Sequence, residues 1–286
     1  MAGTGILITG GRGQLAQDLA RRMPDSVALT REELSITDRN RVEEEIARRQ
    51  PAVVLNCAAY NGVDSAEQEP ELAMEVNANG AGNVARACRL AGARLVHFST
   101  NYVFDGRAES PYREGDEPRP QGAYARSKRE GELRVLSELP ETLVIRSSGL
   151  FGSAGSAIKG GSFPERLLSQ AKAGHPLAVV ADQLLNPTYT GHLADGTAAA
   201  IDQGLTGIVH LVAAGCCSYH EFALEILRLA GIESQMSVKA ISTPEAGAEV
   251  ARPLNGCLES DRVTPLPSWR DGLRDYWLAR AGAGKR

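Results

Sequence analysis

The chain has 286 residues, 43% of them hydrophobic and 23% charged, which is the balance of a folded globular protein and excludes a disordered one. Its net charge of −4 argues against nucleic acid or an anionic membrane as a partner. No apolar run approaches the roughly 20 residues that span a bilayer, and the first residues, MAGTGILITGG, lack the charge pattern of a secretory leader, so a cytoplasmic protein is expected.

Short β-rich runs lie at 5–9 (GILIT), 26–30 (SVALT), 52–56 (AVVLN), 94–99 (RLVHFS) and 142–148 (TLVIRSS). Helical patterns separate them, at 14–22, 38–49, 71–91 and 124–139, with Asp38 as an N-cap and Gly92 as a terminator. Such alternation predicts βαβ units and an α/β fold with a doubly wound parallel sheet. Beyond residue 150 the pattern loosens: a glycine-rich stretch, GSAGSAIKGGS, reads as a mobile loop, followed by helices near 163–173, 192–203 and 219–230. Residues 1–148 are therefore assigned to a dinucleotide-binding core, completed by elements from about 178–212. Residues 149–177 and 213–286 are assigned to a smaller substrate-binding lobe, with RAGAGKR at the end frayed.

The loop between the first strand and first helix reads ITGGRGQLA, with Gly10, Gly13 and Ala16 in a G-x-x-G-x-x-A spacing. Glycines there let the backbone approach a pyrophosphate, and the free N–H groups of the following helix hold it. Gly10, Arg12, Gly13, Gln14 and Leu15 are thus candidate cofactor contacts. The second strand ends ALTREE, placing Arg31 where an acid on the ribose hydroxyls would favour NAD. Arg31, with Arg12, can instead pair with a 2′-phosphate, so NADPH is favoured; Glu32 and Glu33 follow at once and keep NADH as the alternative.

Tyr124 and Lys128 stand in a Y-x-x-x-K spacing that puts both on one helix face, where the ammonium can lie near the phenol and favour its ionised form. Thr100, a hydroxyl at the end of the fourth strand, precedes them within STNYVFDG. The five cysteines, Cys57, Cys88, Cys216, Cys217 and Cys257, are odd in number and form no C-x-x-C pair, so buried free thiols are expected and neither a disulfide framework nor a zinc site. His97 and His210 lie inside apolar runs as core groups, and no metal is expected.

Thr100, Tyr124 and Lys128 at this spacing resemble the catalytic set of the extended short-chain dehydrogenase/reductases. NCAAYNGVDSAEQEPELAMEVNANGAGNVARAC, STNYVFDG, PYREGDEPRPQGAYARSKREGE, IRSSGLFG and DQLLNPTYTGHLAD follow the order seen in the dTDP-4-dehydrorhamnose reductases. The resemblance implies a Rossmann core and an NAD(P)H-dependent reductase of a 4-keto, nucleotide-linked deoxysugar, and admits a homodimer. It implies that Thr100 hydrogen-bonds the carbonyl, that Tyr124 protonates the oxygen and that Lys128 holds the nicotinamide ribose and tunes Tyr124. Cys57, Ala58 and Ala59 would pass beneath the cofactor, with Ser147 near the nicotinamide. Asn61, Val63, Asn101, Tyr102, Gly149 and Asp182 would face the substrate.

Three departures bear on the substrate: Asn101 replaces the usual aspartate, YNG precedes Val63 and Asp64 where Thr-Ala is common, and Gly149 replaces a tryptophan. They mark either a changed substrate or drift. Reduction of a non-sugar ketone or aldehyde remains an alternative, as does a non-catalytic NADP-binding regulatory subunit like the methionine adenosyltransferase β subunit. Dehydration is disfavoured, because Asn101 and Tyr102 stand where elimination needs an acid and a base.

Overall fold

The computed structural model describes residues 5–152, 161–233, 236–247 and 250–283. Up to Ser147 the order is β1 (Ile6–Thr9), α1 (Gln14–Arg22), β2 (Ser26–Leu29), α2 (Arg39–Arg49), β3 (Val53–Asn56), α3 (Ser65–Gln68), α4 (Pro70–Met74), α5 (Ala81–Ala91), β4 (Arg94–Thr100), α6 (Gly122–Glu138) and β5 (Leu143–Ser147). Beyond it come β6 (Leu150–Phe151), α7 (Phe163–Lys172), β7 (Leu177–Val180), β8 (Leu184–Leu185), β9 (Thr188–Tyr189), α8 (Thr190–Asp202), β10 (Gly207–His210), β11 (Ala213–Ala214) and β12 (Cys217–Ser218). The chain continues through α9 (Tyr219–Leu229), β13 (Val238–Ile241), β14 (Asn255–Gly256), β15 (Leu266–Ser268) and α10 (Trp269–Ala283).

Six parallel strands form one sheet in the order β10-β5-β4-β3-β1-β2, the doubly wound arrangement that the alternation predicts. Alternate strand residues feed its two faces. Leu7, Val54, Leu95 and Val144 pack with Val42, Ile46, Val84 and Val135 on one side, while Ile8, Leu55, Val96 and Ile145 pack with Leu15, Leu19, Leu193 and Val209 on the other. Burial on both faces explains why these strands read as continuous apolar runs. Between 178 and 212, α8 and β10 join this core, whereas β7 pairs with β13 in the smaller lobe, around Phe151, Leu168, Phe222, Leu273 and Tyr276.

Local signals explain several boundaries. Asp38 caps α2 by accepting from Arg41 N at 3.1 Å, and Gly92 ends α5 at φ +68°. The helix expected over 71–91 is interrupted by a π-helical turn, Glu75–Gly80. The free-thiol expectation needs one correction: Cys216 and Cys257 form a disulfide, while Cys57, Cys88 and Cys217 are free. The two are 41 residues apart and meet because β8 pairs with β12 on one side and β14 on the other, an adjacency no local spacing encodes. Most of GSAGSAIKGGS and the last three residues of RAGAGKR lie outside the described residues. Among the described residues no helix is long and apolar enough to cross a membrane.

Candidate active site

β1, β4 and β5 end at Thr9, Thr100 and Ser147, and at these carboxyl ends a cavity of about 250 Å³ opens toward the smaller lobe. It is lined by most of the residues that the sequence selects: Gly13, Gln14, Leu15, Cys57, Ala59, Asn61, Val63, Thr100, Asn101, Tyr102, Tyr124, Lys128, Ser147 and Gly149.

At one end the loop after β1 has the shape a dinucleotide requires. Gly10 sits at φ +70°, and a Cβ there would come within 2.8 Å of the Ala58 backbone, so only glycine lets the two loops approach so closely. Gly13 is the N-cap of α1 and offers no side chain to the first turn, leaving its N–H groups open to a phosphate. Gln14 Oε1 and Ser147 Oγ, both on the cavity wall, are buried without a hydrogen-bond partner among the described residues. The residues present therefore fit a dinucleotide. Arg12 and Arg31 lie outside the cavity on the exposed surface at this end. Arg12 Nη1 pairs with Glu32 Oε1 at 3.0 Å, which partly neutralises the charge a 2′-phosphate would meet.

The chemistry-bearing groups are deeper. Thr100, Tyr124 and Lys128 are all buried, brought together by the end of β4 and the first two turns of α6. Burial pushes the Tyr124 phenol above its ordinary range, a hydrogen bond with Thr100 draws it back in part, and Tyr102 raises it further. The Tyr102 and Tyr124 rings meet edge to face, centroids 5.5 Å apart. Lys128 lies one turn beyond Tyr124 on α6, and its Nζ donates to the Phe98 carbonyl oxygen at 2.7 Å. Burial lowers the ammonium to about 8, with Glu132 and Cys57 opposing.

A scaffold of buried polar groups fixes this arrangement. Asn77, from the π-helical turn, accepts from Tyr60 N at 2.8 Å and donates to Ser127 Oγ at 2.9 Å, and Ser127 Oγ donates to the Tyr124 carbonyl at 2.8 Å. Glu132 receives two bonds from Arg146, each 2.8 Å, and one from Arg129 at 2.8 Å.

Residues 4–280 match the family model described as the RmlD substrate binding domain. The chain belongs to this family. It is 36% identical to a dTDP-4-dehydrorhamnose reductase of Streptomyces griseus over 98% of this chain and 95% of the relative. It is 34% identical to a dTDP-4-keto-6-deoxy-D-glucose reductase of Streptomyces niveus over 93% of this chain and 94% of the relative. Among solved structures, a dTDP-4-dehydrorhamnose reductase from Bacillus anthracis in complex with NADP superposes with a TM-score of 0.91 at 33% identity, covering 97% of this chain and 99% of that one.

In this RmlD-family chain, two substrate-side positions take an unexpected form. Asp182 lies outside the cavity, where its carboxylate accepts from Thr243 N at 2.8 Å and Thr243 Oγ1 at 2.8 Å, tying two lobe segments together. Gly149 adopts φ +57°, and a Cβ on it would fall 2.6 Å from Leu185 Cδ1, so Leu185 forms the wall that a larger residue at 149 would occupy.

Sequence reasoning missed the lobe's contribution: Phe163, Arg166, Leu185, Tyr219 and Phe222 also line the cavity. Phe163 packs on Tyr219 and Phe222 at centroid distances of 5.2 and 5.6 Å, and Arg166 follows one turn later on α7. The predicted helices near 163–173 and 219–230 carried the available signal, an aromatic residue at the start of each.

Proposed function

We propose that this chain is an NADPH-dependent reductase of a 4-keto group on a nucleotide-linked deoxysugar. The observation that carries the reading is that Thr100, Tyr124 and Lys128 lie buried together on the wall of one cavity that adjoins a dinucleotide-shaped loop. Membership of the RmlD family and the likeness to reductases of dTDP-linked 4-keto sugars support it, and the NADP bound to the Bacillus anthracis protein supports the choice of cofactor.

Gly10, Gly13 and the first turn of α1 would hold the pyrophosphate, with Ser147 and Lys128 toward the nicotinamide end. The bound dinucleotide supplies the hydride. Everything else falls to the chain's own groups. Thr100 donates its hydroxyl hydrogen bond to the carbonyl oxygen and fixes its position. Tyr124, kept protonated by burial, gives that oxygen its proton as the carbon is reduced, so the ketone becomes a secondary alcohol. Lys128 places a positive charge beside this end of the cavity and favours negative charge on the oxygen.

The charged residues on the described cavity wall, Lys128 and Arg166, are both cationic, as suits a substrate carrying a diphosphate. The division of labour we assign is that the core through residue 148, with α8 and β10, holds the dinucleotide and the rest holds the sugar nucleotide.

The test is a panel of dTDP-4-keto sugars followed by NADPH oxidation, with NADH in parallel. Turnover with at least one sugar and tighter binding of NADPH than NADH are expected. Tyr124→Phe should abolish turnover, by about 10³-fold or more, while NADPH affinity stays within about two-fold. Turnover that survives in this variant would remove Tyr124 as the proton donor, and inactivity across the panel would overturn the reading.

A further inference from the structure

One ion pair joins core to lobe beside the substrate side of the cavity. Asp64 follows Val63, which lines the cavity, and precedes α3 as its N-cap, yet its side chain makes no capping bond to that helix. It reaches across to the segment before β14, where Arg252 Nη2 donates to both its oxygens, at 2.6 and 2.8 Å. A single nitrogen thus serves the whole carboxylate, instead of the fork of two parallel N–H bonds that makes an arginine pair strong. The Asp64 side chain is 68% exposed, so water can replace the guanidinium there at little cost.

The backbone that carries Arg252 is held on both sides. Val250 packs against the cluster of Val63, Tyr102 and Tyr124, and a Cβ on Gly106 would overlap Pro253. Leu254 O accepts from Leu184 N at 2.7 Å, and Asn255 N donates to Gly106 O at 3.0 Å. Movement at this point therefore belongs to the Arg252 side chain, whose long stem can swing the guanidinium between partners.

Two phenols relate that charge to the cavity, since Tyr102 and Tyr219 both line it. Burial pushes the Tyr102 phenol up and Arg252 pulls against it. Burial and the neighbouring Tyr102 push the Tyr219 phenol up, while Arg252 and Arg166 both pull it down. Tyr219 is thus within reach of two guanidiniums, one from α7 and one from the segment before β14.

We propose that Arg252 is a ligand of the substrate's diphosphate, alongside Arg166, and that Asp64 is its exchange partner: the arriving diphosphate takes the guanidinium from Asp64, and Asp64 takes it back as product leaves. One anion replaces another on the same cation, and a phosphate can accept the two-nitrogen fork that Asp64 does not use. Asp64 thereby serves release as much as rest, because a guanidinium with no other anion to return to would keep the product. The exchange rests on the proposed function, which supplies the diphosphate.

The probe is dTDP, titrated calorimetrically into the NADPH-bound protein. Arg252→Ala should weaken its binding at least about ten-fold, the loss of charged hydrogen bonds. Asp64→Asn keeps the shape and removes the competing charge, so it should tighten binding by about two- to five-fold, the worth of an exposed ion pair, and slow dTDP release by a similar factor. In the Arg252→Ala background the same Asp64→Asn change should have no effect, because its gain passes through Arg252. NADPH affinity should stay within about two-fold in all three variants, since the cofactor's pyrophosphate is assigned to the Gly10 and Gly13 loop.

Weaker dTDP binding in both single variants would mean that the pair only holds the segment in place, and overturns the inference. An equal gain from Asp64→Asn with and without Arg252 makes it a general charge effect, and a loss of NADPH affinity in Arg252→Ala puts that guanidinium on the cofactor; either result also overturns it. A wild-type protein that does not bind dTDP removes both the exchange and the nucleotide-linked substrate. One that binds dTDP and reduces no 4-keto sugar removes the proposed reaction and leaves the exchange to be decided by the variants, whereas turnover of a sugar with all variants binding dTDP like wild type removes the exchange alone.

Discussion

Lys128 is 3% exposed, and its Nζ donates a hydrogen bond to Phe98 O at 2.7 Å. An ammonium in such a place loses hydration, and burial accordingly lowers it to about 8; Glu132, one turn further along α6, keeps it from falling lower. The charge we propose for the end of the cavity where reduction occurs is therefore lost just above neutrality. In the free enzyme kcat/KM should fall as pH rises through about 8, with Lys128→Arg, which stays charged, moving that limb upward by at least one unit. Glu132→Gln removes the opposing negative charge, so the limb should move to lower pH. It also leaves Arg146 buried without its ion partner, at a cost of about 3–5 kcal/mol in stability measured by urea unfolding. A pH profile unchanged in the Gln variant would mean that Glu132 serves Arg146 and Arg129 and not Lys128.

The elements around this lysine show why a regular helix would not serve. The π-helical turn Glu75–Gly80 turns Asn77 inward to bind Tyr60 and Ser127, and Gly131 on α6 packs so closely that a Cβ on it would overlap the Asn77 carbonyl oxygen. Gly131→Ala should force α6 away from this turn and destabilise the protein by about 1–3 kcal/mol, read as a lower urea midpoint with unchanged slope. An unchanged midpoint would show that the contact relaxes freely. Apolar periodicity made α1, α2, α6 and the five strands through β5 legible, since each repeats a local pattern. The π turn was not legible, because one extra residue in a helical turn leaves the surrounding composition unchanged. Helix α10 was also missed, although Trp269, Leu273 and Tyr276 follow an i, i+4, i+7 spacing. Cys216–Cys257 depends on three strands meeting across the lobe and had no local signal at all.

Across the whole molecule the cavity edge proposed as catalytic could be picked out because Thr100, Tyr124 and Lys128 lie within one stretch of chain, whereas the far wall is assembled from α7 and α9, which meet only in the folded lobe. That difference in origin has an electrostatic consequence. The protein carries a net charge of −4, yet the charged groups on the described cavity wall are Lys128 from the core and Arg166 from the lobe. An anionic substrate is thus repelled weakly at long range and attracted within the cleft, with one cation at the reacting end and the other beside the Phe163 and Tyr219 rings. Arg166 Nη1 is oriented by the Gly161 carbonyl at 2.8 Å, which holds the guanidinium on this wall. If Arg166 binds the diphosphate equally in ground and transition states, its loss removes uniform binding and leaves the chemical step alone. Arg166→Ala should therefore raise KM for the nucleotide sugar by about ten-fold or more, with kcat and the NADPH affinity within about three-fold. Added salt should weaken wild-type kcat/KM more steeply than that of the variant. A fall in kcat at constant KM would instead place Arg166 at the reacting group, and no change in either would move the diphosphate away from α7.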